Sequence, residues 1–198
     1  MRPLYFSLIQ LMWLAWLVYW FIAGRNVKET RQVESFASRA AHIIPLVIAF
    51  ILLSPRRLPG GFLGQQIVPW NDAFYPVGVV LVAAGLLFTC WARYVLGRNW
   101  SGIVTVKDNH ELIRTGPYRY VRHPIYTGLI LAFIGCAVAI DEWRGVLAVV
   151  VAYVSLWRKS LLEERWMIDT FGDAYRQFRS EVPAIIPNPF HRANATAK

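Results

Sequence analysis

The sequence predicts an all-α membrane protein, a polytopic bundle of about five transmembrane helices followed by a cytoplasmic helical segment. The chain of 198 residues is 56% hydrophobic and yet carries a formal net charge of +9. Its basic residues lie between long apolar runs. A basic nucleic-acid module instead interleaves basic and aromatic residues on a polar scaffold, and a disordered basic tail lacks apolar residues. We therefore expect the chain to lie in a bilayer and to have no nucleic-acid partner.

Five apolar runs approach the length needed to cross a membrane, which is about 20 residues in a helix. The second run reaches that length only if the preceding "SFASR" is also helical. The last two runs are separated by "DEWR" and are expected to form a helical hairpin with a four-residue turn. The predicted spans are residues 4–23, 40–54, 74–92, 124–140 and 145–157.

The distribution of basic residues predicts the orientation of these spans. Lysine and arginine accumulate in the cytoplasmic loops of membrane proteins. Here 17 of the 21 lysines and arginines fall in alternate segments of the predicted topology. This bias places the amino terminus outside, and loop 93–123 and the carboxyl-terminal tail together in the cytoplasm. It also suggests a division into N-terminal spans, residues 1–92, and a carboxyl-terminal core, residues 93–198.

The tail after the fifth span is predicted to be helical, because its apolar residues recur at helical spacing. Gly172 is expected to end that helix before a second amphipathic piece that holds Tyr175 and Phe178. Cys90 and Cys136 both lie inside apolar runs, so the sequence predicts neither a disulfide framework nor a metal site.

The stretch "GPYRYVRHPIYTGL" places polar residues where the chain enters the fourth span. Proline suits the first position of a helix, so Pro124 predicts a helix start with His123 at its edge. Tyr126 follows His123 by three residues and shares its face. A helix start also offers backbone N–H groups that suit a carboxylate. The alternative is that Arg122 and His123 face lipid headgroups beside a belt of interfacial tyrosines.

A second polar cluster, Arg158, Lys159, Glu163 and Glu164, follows the fifth span. The alternative for these charges is an ordinary solvated helix surface. Because a short turn makes the last two spans antiparallel neighbours, we expect residues 123–126 and 159–164 to approach each other at the cytoplasmic face. We also expect that two adjacent carboxylates face different directions and do not share one basic partner.

Three motifs in the carboxyl-terminal half carry a resemblance to a known family. "GRNWS", "HELIRTGPYRYVRHPIYTG" and "EERWMIDTFGDAYRQFRSEVPAIIP" resemble the isoprenylcysteine carboxyl methyltransferase family and its bacterial and archaeal relatives, a group that includes phospholipid N-methyltransferases. The resemblance covers roughly residues 97–188. It implies methyl transfer with S-adenosylmethionine as the cofactor and S-adenosylhomocysteine as the product. The cofactor-binding positions that it implies are His110, Glu111, Leu112, Ile113, Tyr118, His123, Pro124, Ile125, Tyr126 and Glu163.

The resemblance also implies a residue that contacts the acceptor. The eukaryotic enzymes use an arginine for the substrate carboxylate, and the matching position here is Lys159, next to Arg158. Arginine binds a carboxylate through two parallel hydrogen bonds, which lysine cannot do. The expected acceptor is a lipid or lipidated molecule, with a prenylcysteine-type carboxylate as one option and an amine as another. An amine must lose a proton, and Glu164 and His123 are the residues proposed to remove it.

Two other functions remain open from the sequence. A related membrane reductase with a nicotinamide cofactor shares a similar carboxyl-terminal region, although no further basic pocket for a cofactor 2′-phosphate is visible. A transporter or sensor is the non-enzymatic alternative. Transporters place charged or broken-helix elements at the membrane midplane, whereas here the polar residues gather at one face.

Overall fold

The computed structural model describes residues 2–25, 30–54, 61–68, 73–97, 100, 105–107 and 112–187. Five apolar helices form a bundle, and a short amphipathic helix follows them. The helices are α1 (Arg2–Ala23), α2 (Phe36–Leu52), α3 (Phe74–Leu96), α4 (Pro124–Ile140), α5 (Trp143–Phe171) and α6 (Asp173–Glu181). The predicted fold class, a helical polytopic membrane bundle, is confirmed.

The lengths of the helices agree with membrane crossing. Three of them, α1, α3 and α5, are long and apolar enough to span a bilayer by length and composition. The apolar helices α2 and α4 have 17 residues each, the lower end of the spanning range. Residues 36–39 lengthen α2 beyond the predicted run 40–54, and Ser35 caps it by accepting a hydrogen bond from the Ser38 backbone N–H.

The fifth span and the helical tail predicted after it form one continuous helix, α5, of 29 residues. Residues 146–171 contain no glycine or proline, so nothing interrupts the helix where it changes from apolar to polar. Gly172 ends it with φ of 54°, a conformation that glycine adopts without steric cost. The turn between α4 and α5 is shorter than predicted, because Asp141 and Glu142 alone reverse the chain.

A two-stranded antiparallel ribbon was not predicted from the sequence. Strand β1 (Thr30–Val33) pairs with β2 (Thr105–Lys107). The ribbon joins the segment between α1 and α2 to the segment between α3 and α4, so both segments lie at the same end of the bundle. The other end is tied by Arg144, whose guanidinium donates to the carbonyls of Leu52 and Ser54. The alternation of loops that the charge pattern predicted therefore agrees with the contacts at both ends.

Small residues bring α3 and α4 into backbone contact. A Cβ atom built on Gly85 would lie 2.5 Å from the Gly128 carbonyl oxygen, and one built on Gly135 would lie 2.6 Å from the Val82 backbone nitrogen. Such spacing lets two helix backbones approach closely inside a membrane. Gly128 and Gly135 therefore serve packing within one chain. This contact fixes the position of α4, which begins at the predicted site.

Candidate active site

The start of α4 is shaped by the residues that precede it. Gly116 has φ of 59° and begins the 3₁₀ turn Gly116–Arg119, which leads the chain back toward the bundle. Pro124 then occupies the first helical position, as predicted. The ring of His123 stacks on the ring of Tyr126, with centroids 5.3 Å apart and planes inclined by 4°. The predicted shared face of these two residues is confirmed.

The polar stripe of α5 reaches this stacked pair. Ser155, Lys159 and Glu163 follow one another at four-residue spacing and therefore share one face of the helix. The Tyr126 hydroxyl donates to Glu163 Oε1 at 2.5 Å. Lys159 Nζ lies 4.0 Å from the same oxygen and 5.6 Å from the centroid of the Tyr126 ring. The predicted approach of residues 123–126 to residues 159–164 is therefore confirmed.

His123 contacts two adjacent carboxylates at once. Its Nδ1 lies 3.4 Å from Glu163 Oε2, and its Nε2 lies 3.2 Å from Glu164 Oε1. The expectation that Glu163 and Glu164 do not share a basic partner is wrong. An imidazole has a nitrogen on each side of its ring, so it fits between two carboxylates that approach from different directions.

Glu164 is the centre of a buried ion-pair network. Arg122 donates from Nε at 2.9 Å and from Nη2 at 2.6 Å, both to Glu164 Oε1. Arg179 Nε lies 3.2 Å from the other oxygen. The Glu164 side chain is 4% exposed and that of Arg122 is 8% exposed. A carboxylate with this number of cationic partners is held in its ionised form.

Residues 183–185, which follow α6, hold the residues that lead into α4. The backbone N–H groups of Arg122 and His123 donate to the carbonyls of Pro183 and Ala184, each at 2.9 Å. The Thr127 hydroxyl donates to the Ile185 carbonyl at 2.5 Å. These N–H groups are therefore already paired. Both groups precede α4, so the binding of a carboxylate by the N–H groups of its first turn stays a prediction.

The pKa of His123 is raised by its neighbours. Burial of the imidazole by itself lowers the pKa, but the hydrogen bonds that it donates to Glu163 and Glu164 and the negative charges of both carboxylates outweigh that effect. Tyr118 is also buried, and burial followed by the charge of Glu163 raises the pKa of its hydroxyl. Tyr118 thus lies within the electrostatic field of Glu163.

The raised pKa of His123 predicts a pH-dependent stability. A raised folded-state pKa means that the stabilisation is fully present below about pH 6.5 and is lost as the pH rises through the elevated pKa. We expect thermal unfolding in detergent to occur at lower temperature as the pH rises above neutrality, by roughly 2–4 °C for each kcal/mol lost. His123→Gln should flatten this dependence, whereas Arg165→Gln, a change on the exposed face of α5, should leave it intact. The same slope in the wild type and His123→Gln would contradict the assignment.

The other predicted site residues are distributed as follows. Arg158 is exposed and donates to the Ser38 carbonyl at 3.3 Å, on a different face of α5 from Lys159. Leu112 packs in an apolar cluster with Tyr175 and Phe178. The remaining described positions are the partly buried Ile113, the buried Pro124, and Ile125, which packs near Leu156 and Ile185. His110 and Glu111 lie outside the described residues.

Several residues near the site were not predicted. Arg122 was predicted only as a headgroup contact, and Arg179 was not predicted to lie at the site. Glu34 and His42 form a buried pair, with His42 Nε2 lying 3.5 Å from Glu34 Oε1. His42 could have been recognised from the sequence, because an ionisable side chain inside an apolar run is by default a functional-site hypothesis.

Comparison with known proteins gives one family match and several relatives. The phospholipid methyltransferase family model matches residues 74–174, from the start of α3 into α6. A protein-S-isoprenylcysteine O-methyltransferase from Schizosaccharomyces pombe is 31% identical over 121 residues, covering 54% of this chain and 50% of that protein. The steroid 5-alpha-reductase DET2 from Solanum lycopersicum is 26% identical over 161 residues, covering 81% of this chain and 59% of that protein. The chain thus spans only half to three-fifths of the length of these relatives.

A solved structure has a similar fold. The eukaryotic intramembrane Ras methyltransferase, an isoprenylcysteine carboxyl methyltransferase, superposes with a TM-score of 0.54 at 18% identity. The likeness covers 78% of this chain and 52% of that chain. At this identity it shows a shared membrane fold.

Proposed function

The chain belongs to the phospholipid methyltransferase family, and we propose that it is an integral-membrane enzyme that transfers a methyl group from S-adenosylmethionine to a lipid or lipidated acceptor. The observation that carries the proposal is the convergence of Tyr126, His123 and Lys159 on the Glu163 carboxylate at one end of the bundle. A structural salt bridge needs one partner. An oriented carboxylate with three polar neighbours is suited to holding a charged ligand.

The residues around Glu163 fit the amino group of S-adenosylmethionine. The Glu163 side chain is 25% exposed, whereas that of Glu164 is 4% exposed. Glu163 therefore retains accessible surface with which to accept hydrogen bonds from an ammonium. Both ring nitrogens of His123 face carboxylates, so His123 does not fit as a partner for the cofactor carboxylate. When bound, S-adenosylmethionine supplies an electrophilic methyl group carried on a sulfonium.

The chain's own residues position the reactants in this proposal. The Tyr126 hydroxyl and His123 Nδ1 hold the two oxygens of Glu163, so the carboxylate is oriented before a ligand arrives. Methyl transfer is an in-line displacement, and alignment alone contributes a large part of its rate. Glu164 is assigned a positioning role, in which it orients His123, because its oxygens are already bound by Arg122, His123 and Arg179.

Lys159 is proposed to lie nearer the acceptor than Arg158. The ammonium of Lys159 lies beside Tyr126 and Glu163, whereas Arg158 is directed to the Ser38 carbonyl. The name of the fission-yeast relative supports a prenylcysteine-type carboxylate as the acceptor, and the family name supports a phospholipid. The bias of basic residues supports a cytoplasmic site, with the amino terminus on the outer side.

Titration of the detergent-purified protein with S-adenosylmethionine and S-adenosylhomocysteine tests the proposal. Both are expected to bind saturably by calorimetry. Glu163→Gln should weaken S-adenosylmethionine binding by about 10- to 100-fold, since a hydrogen bond to a charged group contributes about 1.5–3 kcal/mol. Glu181→Gln, the same change at a half-exposed position of α6, should bind like the wild type. No saturable binding by the wild type, or equal binding by Glu163→Gln, would count against the proposal.

The reductase relative provides the second candidate function. A membrane reductase would bind a reduced nicotinamide dinucleotide. The same titration with NADPH separates the two candidates: saturable NADPH binding without S-adenosylmethionine binding would favour the reductase.

A further inference from the structure

A buried ionisable pair lies beside the proposed site and has no role in the proposed function as described so far. Glu34 precedes the cap of α2, and His42 lies in the second turn of that helix. Their side chains are 1% and 2% exposed. Burying ionisable groups is costly, and inside a membrane protein such groups usually serve function. Both residues precede the region that the family model matches, residues 74–174.

The pair is adjacent to the polar stripe of α5. The Ser155 hydroxyl donates to the His42 carbonyl at 2.7 Å. Ser155 is one turn from Lys159 and two turns from Glu163 on the same face, so the stripe leads from His42 to the centre of the site. Leu46, one turn beyond His42 on α2, packs in the apolar cluster that contains Tyr126. The face of α2 that carries His42 therefore borders the site.

We propose that His42 is the general base for a methyl acceptor that carries a proton, and that Glu34 is the positioning residue that orients its imidazole. The inference rests on the proposed methyl transfer. A carboxylate next to one imidazole nitrogen fixes the tautomer and leaves the other nitrogen to accept a proton. Here Glu34 Oε1 faces Nε2, and among the described residues Nδ1 of His42 has no hydrogen-bond partner.

The proposed transfer moves one proton and two electron pairs. The acceptor's proton, on sulfur, nitrogen or oxygen, moves to Nδ1 of His42. The acceptor's electron pair forms the bond to the transferred methyl carbon, and the pair of the broken carbon–sulfur bond stays on the sulfur of the sulfonium donor. The resulting imidazolium is stabilised by the Glu34 carboxylate and returns its proton to water. An acceptor that is already a carboxylate gains nothing from His42.

Amphiphilic probes of different protonation distinguish these cases. Decanethiol and dodecylamine carry a proton on the accepting atom, whereas N-acetyl-S-farnesylcysteine presents a carboxylate. Detergent-purified His42→Gln is expected to lose about 100-fold in kcat with the first two probes, the lower range for general base catalysis. It should keep the wild-type affinity for S-adenosylmethionine. Ser155→Ala is the matched control, because it removes a contact to the His42 backbone and leaves the imidazole in place.

The pH profile distinguishes catalysis from structural support. The wild-type rate with decanethiol should fall at low pH as the base is protonated, and His42→Gln should lose that limb. Glu34→Gln should lower kcat, and Glu34→Asp should restore part of it. The charged groups that act on the imidazole are Glu34, Lys159, Arg158 and Glu163. The same pH profile is therefore measured for Arg158→Gln, whose rate with decanethiol should still fall at low pH.

Nitrogen-15 spectra of histidine-labelled protein supply a readout that needs no turnover. We expect an unprotonated Nδ1 in the resting wild type and a change of tautomer population in Glu34→Gln. A proton on Nδ1 in the wild type would overturn the inference, as would an unchanged rate and profile in His42→Gln. Failure of the wild type to bind S-adenosylmethionine would instead overturn the proposed function. Normal donor binding with transfer to the farnesylcysteine probe alone would overturn only the role of His42.

Discussion

Replacing Glu164 by alanine is expected to lower the free energy of unfolding by about 3–5 kcal/mol, because it leaves buried cations without their partner. Arg122 makes two hydrogen bonds to Glu164 Oε1, and His123 Nε2 contacts the same oxygen. Removal of the carboxylate leaves the guanidinium of Arg122, 8% exposed, without the charge that Glu164 supplied. The desolvation cost of that charge is then no longer offset.

Glu181 offers a matched control for this substitution. It pairs with Arg114 at 3.9 Å, and both side chains are more than one-third exposed. Exposed ion pairs contribute about 0–1 kcal/mol, so Glu181→Ala should unfold close to the wild-type temperature. Thermal unfolding in detergent micelles measures both variants, and roughly 2–4 °C is expected for each kcal/mol. Equal unfolding temperatures for the two variants would refute the assignment of Glu164 as a buried hub.

A second variant separates stability from function. Arg122→Met combined with Glu164→Met replaces the charged pair by apolar side chains, and such replacements of buried pairs are often neutral for stability. His123 would then lose the partner of Nε2 while the fold is retained. We expect the double variant to unfold at a higher temperature than Glu164→Ala and to bind S-adenosylmethionine more weakly than the wild type, because Glu163 loses an oriented neighbour.

The parts of the fold that were predictable from the sequence depend on local signals. Pro124 defined the start of α4 and the short turn at Asp141 made α4 and α5 antiparallel neighbours, so the approach of His123 to Glu163 followed from helix geometry. Gly172 ended α5 where its conformational freedom was needed. In each case a residue at or near the helix end determines where the helix begins or ends.

The parts that were not predictable depend on contacts between residues distant in the chain. Arg179 reaches Glu164 because α6 packs against the end of α5, and no pattern in α6 indicates that Arg179 faces Glu164. The pairing of Glu34 with His42 depends on the extended backbone of Ser35, which sets where Glu34 lies beside the second turn of α2. The shared contact of Glu163 and Glu164 with one imidazole depends on the orientation of a ring, which spacing along α5 does not specify.

The close contact between α3 and α4 leads to the second prediction of a large loss of stability. Without a hydrophobic driving force inside the bilayer, helices associate through close packing of small residues. The Cβ atom of alanine at position 85 would lie 2.5 Å from the Gly128 carbonyl oxygen and 2.6 Å from the Ala132 nitrogen. Both atoms belong to the backbone of α4, so no side chain can move aside and the two helices must separate.

Gly85→Ala and Gly135→Ala are therefore each expected to lower the free energy of unfolding by about 3 kcal/mol, the upper part of the usual range for overpacking. Separation of the helices also displaces α4, which positions His123 and Tyr126, so S-adenosylmethionine binding should weaken together with stability. Ala84→Val is the matched control, because Ala84 is the neighbouring exposed residue on α3 and the added methyl groups face away from α4. Thermal unfolding and calorimetric titration of the three variants test the coupling. A Gly85→Ala protein that unfolds and binds like Ala84→Val would show that the backbone contact does not hold the site in place.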